Sequence, residues 1–93
     1  MEATVTDNEE RHRFELRLGE RLAGHIDYTR SDGVVSLNHA EVASELRNLG
    51  YGETMVKGAL DDVRERGAKM RPLCPFVAAY VKRHPEVHDL VAD

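Results

Sequence analysis

Three groups of residues in this sequence have types and spacing that chemistry could use. The first is His39-Ala40-Glu41. In an extended strand, side chains two positions apart share a face, about 7 Å from one another. A neutral imidazole placed there can take a proton from an ammonium group, directly or through water. A partly buried histidine satisfied by a neighbour fits the same pattern. The second is Cys74, directly before Pro75. Proline is favoured in the first turn of a helix, so Cys74 falls near an N-cap. A helix start stabilises a thiolate and lowers the thiol pKa from its free value of about 8.5. Such a thiol could act as a nucleophile carrying an acyl group, or as a proton donor to a leaving thiolate. An inert, buried cysteine fits as well.

The third group is the turn Leu46-Arg47-Asn48-Leu49-Gly50-Tyr51-Gly52. It lies between a strand pattern and a helix pattern, where backbone N–H groups at the helix start lack partners. The helix dipole adds partial positive charge, and glycines let a phosphate approach the backbone closely. Arg47 can add a charge-assisted contact at the rim. A loop that needs glycine only in order to turn has the same appearance. The spacing excludes the dinucleotide fingerprint, because Met55 stands where its third glycine is required, and no Gly-Lys-Ser/Thr follows to make a P-loop.

The elements that must position these groups change period midway. Phe14, Leu16 and Leu18 alternate with Arg13, Glu15 and Arg17, the mark of a half-buried strand. Gly19-Glu20 fits a two-residue hairpin turn, and Leu22, Gly24, Ile26 and Tyr28 continue the alternation on one face. Asp32-Gly33 is a second hairpin signal before a third strand, Val34 to Val42. Strict alternation there puts Val35, Leu37, His39 and Glu41 on one face. Met55, Val56, Ala59, Leu60 and Val63 then trace one face of a helix that Gly67 stops. A short strand spans residues 68–73. Phe76, Val77, Tyr80 and Val81 give a second helix its apolar face, and Pro85 ends it. Lys82, Arg83 and His84 make a basic helix end, suited to a helix C-terminus or to phosphates. Residues 86–93 read as a tail that packs or does not. A strand–helix–strand unit closes right-handed and parallel. The fold class is therefore α+β with a mixed sheet: a three-stranded antiparallel meander, a helix, a parallel strand and a C-terminal helix.

The chain's 93 residues suit one small domain, expected over residues 11–93, with the polar stretch 1–10 as a mobile lead-in. A net charge of −4 argues against nucleic acid or an anionic membrane as partner. No apolar run is long enough for a membrane span, and the N-terminus lacks the pattern of a signal peptide. Cys74 is the single cysteine, which fits a reducing, cytoplasmic setting. His12, His25 and His88 show no metal spacing, and no Gly-x-Ser-x-Gly elbow is present, so neither a metal site nor a hydrolase is expected. A monomer is possible at this size.

Arg47-x-x-Gly50-x-Gly52, after a strand and opening a helix, resembles the acetyl-CoA signature of the GNAT superfamily of N-acetyltransferases. His39-Ala40-Glu41-Val42, Ala59-Leu60-Asp61-Asp62, Pro72-Leu73-Cys74-Pro75-Phe76-Val77, Tyr80 and Arg83-His84-Pro85 extend the resemblance, over roughly residues 13–90, to a compact, stand-alone branch. The resemblance implies that backbone amides of Arg47, Asn48, Leu49, Gly50, Tyr51, Gly52 and Glu53 hold the pyrophosphate of acetyl-CoA. It implies that Glu41 and Val42 line the path of the pantetheine arm, where their strand splays from the next. It gives His39 the role of base, Cys74 that of nucleophile or proton donor, and Tyr80 that of a coenzyme contact able to protonate the departing thiolate, although Tyr80 equally fits the apolar core. The acceptor would be a primary amine, on a small molecule or a protein lysine. Two departures stand out: Asn48 replaces a frequent glycine, and the extra N-terminal strand and helices of ordinary members look absent. A non-catalytic CoA-binding module and a protein-interaction domain are the alternatives.

Overall fold

The computed structural model describes residues 2–92. Five strands form one sheet in the order of the chain: β1 (Ala3–Asn8), β2 (Arg13–Leu18), β3 (Arg21–Ser31), β4 (Val34–Val42) and β5 (Lys69–Pro72). The first four are antiparallel, and β5 runs parallel to β4. Local turn chemistry sets the hairpins. Gly19 has φ 61, and Asp32 and Gly33 have φ 52 and 77, the positive values that tight hairpin turns demand. Between β4 and β5 lies α1 (Tyr51–Glu65); α2 (Pro75–Arg83) follows β5. Among the described residues no helix is long and apolar enough to cross a membrane.

The mixed α+β architecture matches the sequence reading, with one strand more. The stretch expected as a mobile lead-in is β1, so the antiparallel meander has four strands, and the N-terminal strand that looked absent is present. Its polar composition misleads because β1 is an edge strand with one buried side. Ala3 and Val5 pack against the core. Val5 reaches α1 where Gly58 has no side chain; a Cβ there would lie 2.6 Å from Val5. Asp7 ties the end of β1 down through Tyr28, Arg30 and Arg66.

Both helices pack on one face of the sheet. All five residues of the α1 stripe, Met55, Val56, Ala59, Leu60 and Val63, are buried against Phe14, Leu16, Ile26, Val35 and Leu37. Gly67 (φ 67) turns the chain out of the helix, and the Ala68 N–H bonds the Val63 carbonyl. The C-terminal tail packs: Pro85–Leu90 is a 3-10 segment that buries Val87 and Leu90, and the Ala92 N–H bonds the Met70 carbonyl at the outer edge of β5.

Two bulges correct the face assignments. The pairing of β2 with β3 skips Ala23, and that of β3 with β4 skips Asn38. An extra residue flips everything beyond it to the other face. Ala23 is therefore buried, and Leu22, expected beside Gly24 and Ile26, is 38% exposed. In β4, Val35 and Leu37 face the core, but past Asn38 it is Ala40 and Val42 that pack inward. His39 and Glu41 still share a face, the one turned away from the helices and from Val35 and Leu37.

Candidate functional site

The parallel pairing of β4 with β5 covers only Val34–Leu37 against Lys69–Pro72. Pro72 has no N–H to extend it. The last link is the Cys74 N–H to the Leu37 carbonyl at 2.9 Å, after which the chain turns into α2. Beyond that point β4 continues to Val42 without a strand on this side. The gap opens into a cleft of about 580 Å³. His39, Ala40, Glu41 and Val42 form one wall, the turn and the start of α1 close one end, Met55 lies at the floor, and Phe76 and Arg83 reach in from α2.

The turn is built for exposed amides. A 3-10 turn, Ser44–Leu46, follows β4. Arg47 folds back so that its Nε donates to the Val42 carbonyl at 3.1 Å. Asn48 takes the left-handed conformation (φ 66) that asparagine tolerates, and Gly50 at φ 87 is the N-cap. The Thr54 N–H makes the first i to i−4 bond, to the Gly50 carbonyl at 3.2 Å. The N–H groups of Tyr51, Gly52 and Glu53 lie before it, with no intrahelical carbonyl to meet and no capping side chain. The two glycines differ in purpose. Gly50 supplies the backbone angle; Gly52 makes room for a ring, since a Cβ there would lie 2.6 Å from Cζ of Phe76.

On the other side of the same wall, His39 Nε2 lies 3.1 Å from Glu41 Oε1, and both side chains are more than half exposed. The hydrogen bond from His39 holds the Glu41 carboxyl below the usual carboxylate range. Cross-strand register sets Arg13, Asp27 and His39 in one row and Glu15, His25 and Glu41 in the next. Basic and acidic groups alternate both along and across the strands. The His25 and His39 rings lie 6.4 Å apart.

Of the residues singled out from the sequence, His39, Glu41, Val42, Arg47, Asn48, Gly50, Gly52 and Glu53 converge on the cleft. Leu49, 63% exposed, points elsewhere, and the Tyr51 side chain packs against the core. Cys74 is the N-cap of α2, as its place before Pro75 suggests, but it is 5% exposed and is not part of the cleft wall. Tyr80 is also outside it. Its ring stacks on His84 at 3.9 Å, it borders a separate groove with Lys57, Leu60 and Arg64, and burial pushes its pKa up. Met55 and Phe76, which read as core, and Ala40 belong to the lining. Phe76 and Arg83 are seven residues apart on one helix and so share a side, a spacing that points to both. Among the described residues no group of three or more His, Cys, Asp or Glu side chains is placed to hold a metal ion.

A family model described as GCN5-related N-acetyl-transferase matches residues 13–90, from β2 to the end of the C-terminal 3-10 segment. The NMR solution structure of a GCN5-like protein from Staphylococcus aureus superposes with a TM-score of 0.70, covering 95% of this chain and 86% of that one, at 20% identity. At that identity the likeness establishes the fold. No curated protein matches the chain significantly.

Proposed function

Because the chain belongs to the GCN5-related N-acetyltransferase family, we propose that it binds acetyl-CoA in the β4 cleft and transfers the acetyl group to a primary amine. The observation that carries this reading is one cleft lined both by the start of α1, with its free helix-start amides, and by the exposed His39–Glu41 pair of β4. The cleft fits the coenzyme by chemistry. Amides of Tyr51, Gly52 and Glu53, aided by the dipole of α1, would meet the pyrophosphate. Past Leu37, β4 is paired with β3 alone, and its other edge offers backbone groups to the amides of the pantetheine arm, which passes Ala40 and Val42.

Bound there, acetyl-CoA would supply an activated acyl carbon, on which a C–N bond forms as the C–S bond breaks. Glu41 accepts from Nε2–H of His39, which fixes the tautomer and leaves Nδ1 as the base. Nδ1 takes a proton from the acceptor ammonium, freeing its lone pair. The proton that the nitrogen loses after attack balances the departing thiolate. Direct attack is favoured over an acetyl-cysteine route, because the Cys74 thiol is buried off the cleft wall.

Calorimetry with CoA, together with acetyl transfer to an amine panel, tests the reading. His39→Ala keeps CoA affinity within about twofold and lowers transfer by roughly 10²–10⁴. Equal turnover by His39→Ala overturns the base assignment, and absence of CoA binding overturns the whole proposal. The openness around His39 and Glu41 favours a second reading, a CoA-binding module without efficient transfer. Tight CoA binding with no acetylated amine would select it.

A further inference from the structure

The cleft lining carries two arginines, Arg47 and Arg83, and two carboxylates, Glu41 and Glu53. Their formal charges cancel, although a coenzyme's phosphates would bring several negative charges. Both cations are already engaged. Arg47 donates to the Val42 carbonyl, and Arg83 Nη2 lies 3.5 Å from Glu53 Oε2. That Glu53 oxygen also lies 4.0 Å from Nε2 of His84, whose Nδ1 is 2.9 Å from Glu86. Glu53 stands in the first turn of α1, among the amides that would meet the pyrophosphate. Its carboxylate therefore takes two things a phosphate would use: the favourable end of the dipole and the guanidinium of Arg83.

We propose that Glu53 is an internal competitor for the phosphates and that Arg83 is exchanged from Glu53 to the ligand on binding. This rests on the acetyl-CoA reading of the cleft. Both Glu53 and Arg83 are more than half exposed, so the pair is weak and easily parted. Its consequence is kinetic as well as energetic. A carboxylate that returns to Arg83 speeds release of the spent coenzyme and holds affinity below what the turn alone would give. A purely structural pair would behave otherwise, fastening the end of α2 to the start of α1 without any bearing on phosphates.

The test compares CoA with pantetheine, which shares the arm and lacks the phosphates. Calorimetry and stopped-flow dissociation are run on wild type, Glu53→Gln and Arg83→Gln. Glu53→Gln should bind CoA roughly threefold to tenfold tighter, through slower release, with pantetheine unchanged. The gain should shrink between about 50 and 500 mM salt as the charges are screened. Arg83→Gln should weaken CoA by a similar factor, again sparing pantetheine, and should reduce the gain from Glu53→Gln in the double variant. Wild-type binding of CoA with no gain in Glu53→Gln, or an equal gain for pantetheine, overturns the competitor role alone. If wild type binds neither ligand, the acetyl-CoA reading itself falls.

Discussion

Glu15 is a charged residue that the fold buries, at 3% exposure on the sheet face away from the helices. Burial pushes its carboxyl up, but hydrogen bonds from Arg13, Asn8 and Arg17, at 2.8, 3.1 and 3.1 Å, outweigh it and leave the pKa below the ordinary glutamate value. A depressed carboxyl adds stability above its unfolded pKa and loses it as pH falls through the folded value. Glu15→Gln should therefore be less stable by about 1–3 kcal/mol at neutral pH, since donors are left unpaired. Its loss of stability on acidification should also be shallower. Denaturant unfolding at pH 7 and pH 3 checks both; an unchanged pH dependence would remove Glu15 as an acid-sensitive anchor. Alternation placed Glu15 on this face, but nothing in the sequence says that two flanking arginines and Asn8 close over it.

At the scale of elements, β4 is where sequence and structure part. Its limits, both hairpin turns and the buried stripe of α1 were readable, because turn glycines and a strong helical period act locally. The bulge at Asn38 was not: asparagine in an alternating run carries no mark of it, and only register with β3 shows the skipped residue. His39 and Glu41 lie on the same side of the bulge, so their mutual spacing does not depend on it. Cys74 and Tyr80 fared differently. Their positions on α2 were read correctly, but the roll of that helix, which hides the thiol and turns Tyr80 toward His84, comes from packing on α1 and β5. Deleting Asn38 would remove the extra residue and restore unbroken alternation, with His39 following Leu37 directly, so that His39 and Glu41 stay turned away from the core and Ala40 and Val42 stay inward. The deletion should therefore cost no more than about 1–2 kcal/mol and keep CoA binding within a few-fold. A folded deletion variant that lost CoA binding would contradict this reading of the bulge.

For the molecule as a whole, the network around Asp7 joins the N-terminal edge to the rest. The Asp7 side chain is 5% exposed, with Arg30 at 2.9 Å, Arg66 at 3.1 Å and the Tyr28 hydroxyl as donor. β1, β3 and the end of α1 thus meet at one carboxylate. Burial, with the hydrogen bond and charge of Asp7, drives the Tyr28 pKa to about 12 from 10.0. A raised phenol favours the protonated form, so its contribution is present below the unfolded pKa and fades as pH rises toward the folded value. Asp7→Asn should cost about 3 kcal/mol, because it removes the charge between two arginines. It should also return Tyr28 toward ordinary ionisation. Ultraviolet titration of the tyrosines reads the second effect separately from stability, and a Tyr28 that still ionises near 12 in the variant would contradict it. The network draws on residues 7, 28, 30 and 66, far apart in the chain, which is why a polar N-terminus resembled a loose end.

The skipped residue in β4 also bears on how this strand is compared with those of its relatives. Its first part, Val34–Leu37, lies between two strands and is limited by volume at Val35 and Leu37. Past Asn38 the volume-limited positions are Ala40 and Val42, and the positions free to answer to chemistry are His39 and Glu41. One strand thus carries two reading frames, offset by a single residue. An alignment that places a gap anywhere near residue 38 without regard to the bulge would exchange the frames. It would then weigh side-chain volume where lineages diverge in chemistry, and chemistry where they diverge in volume.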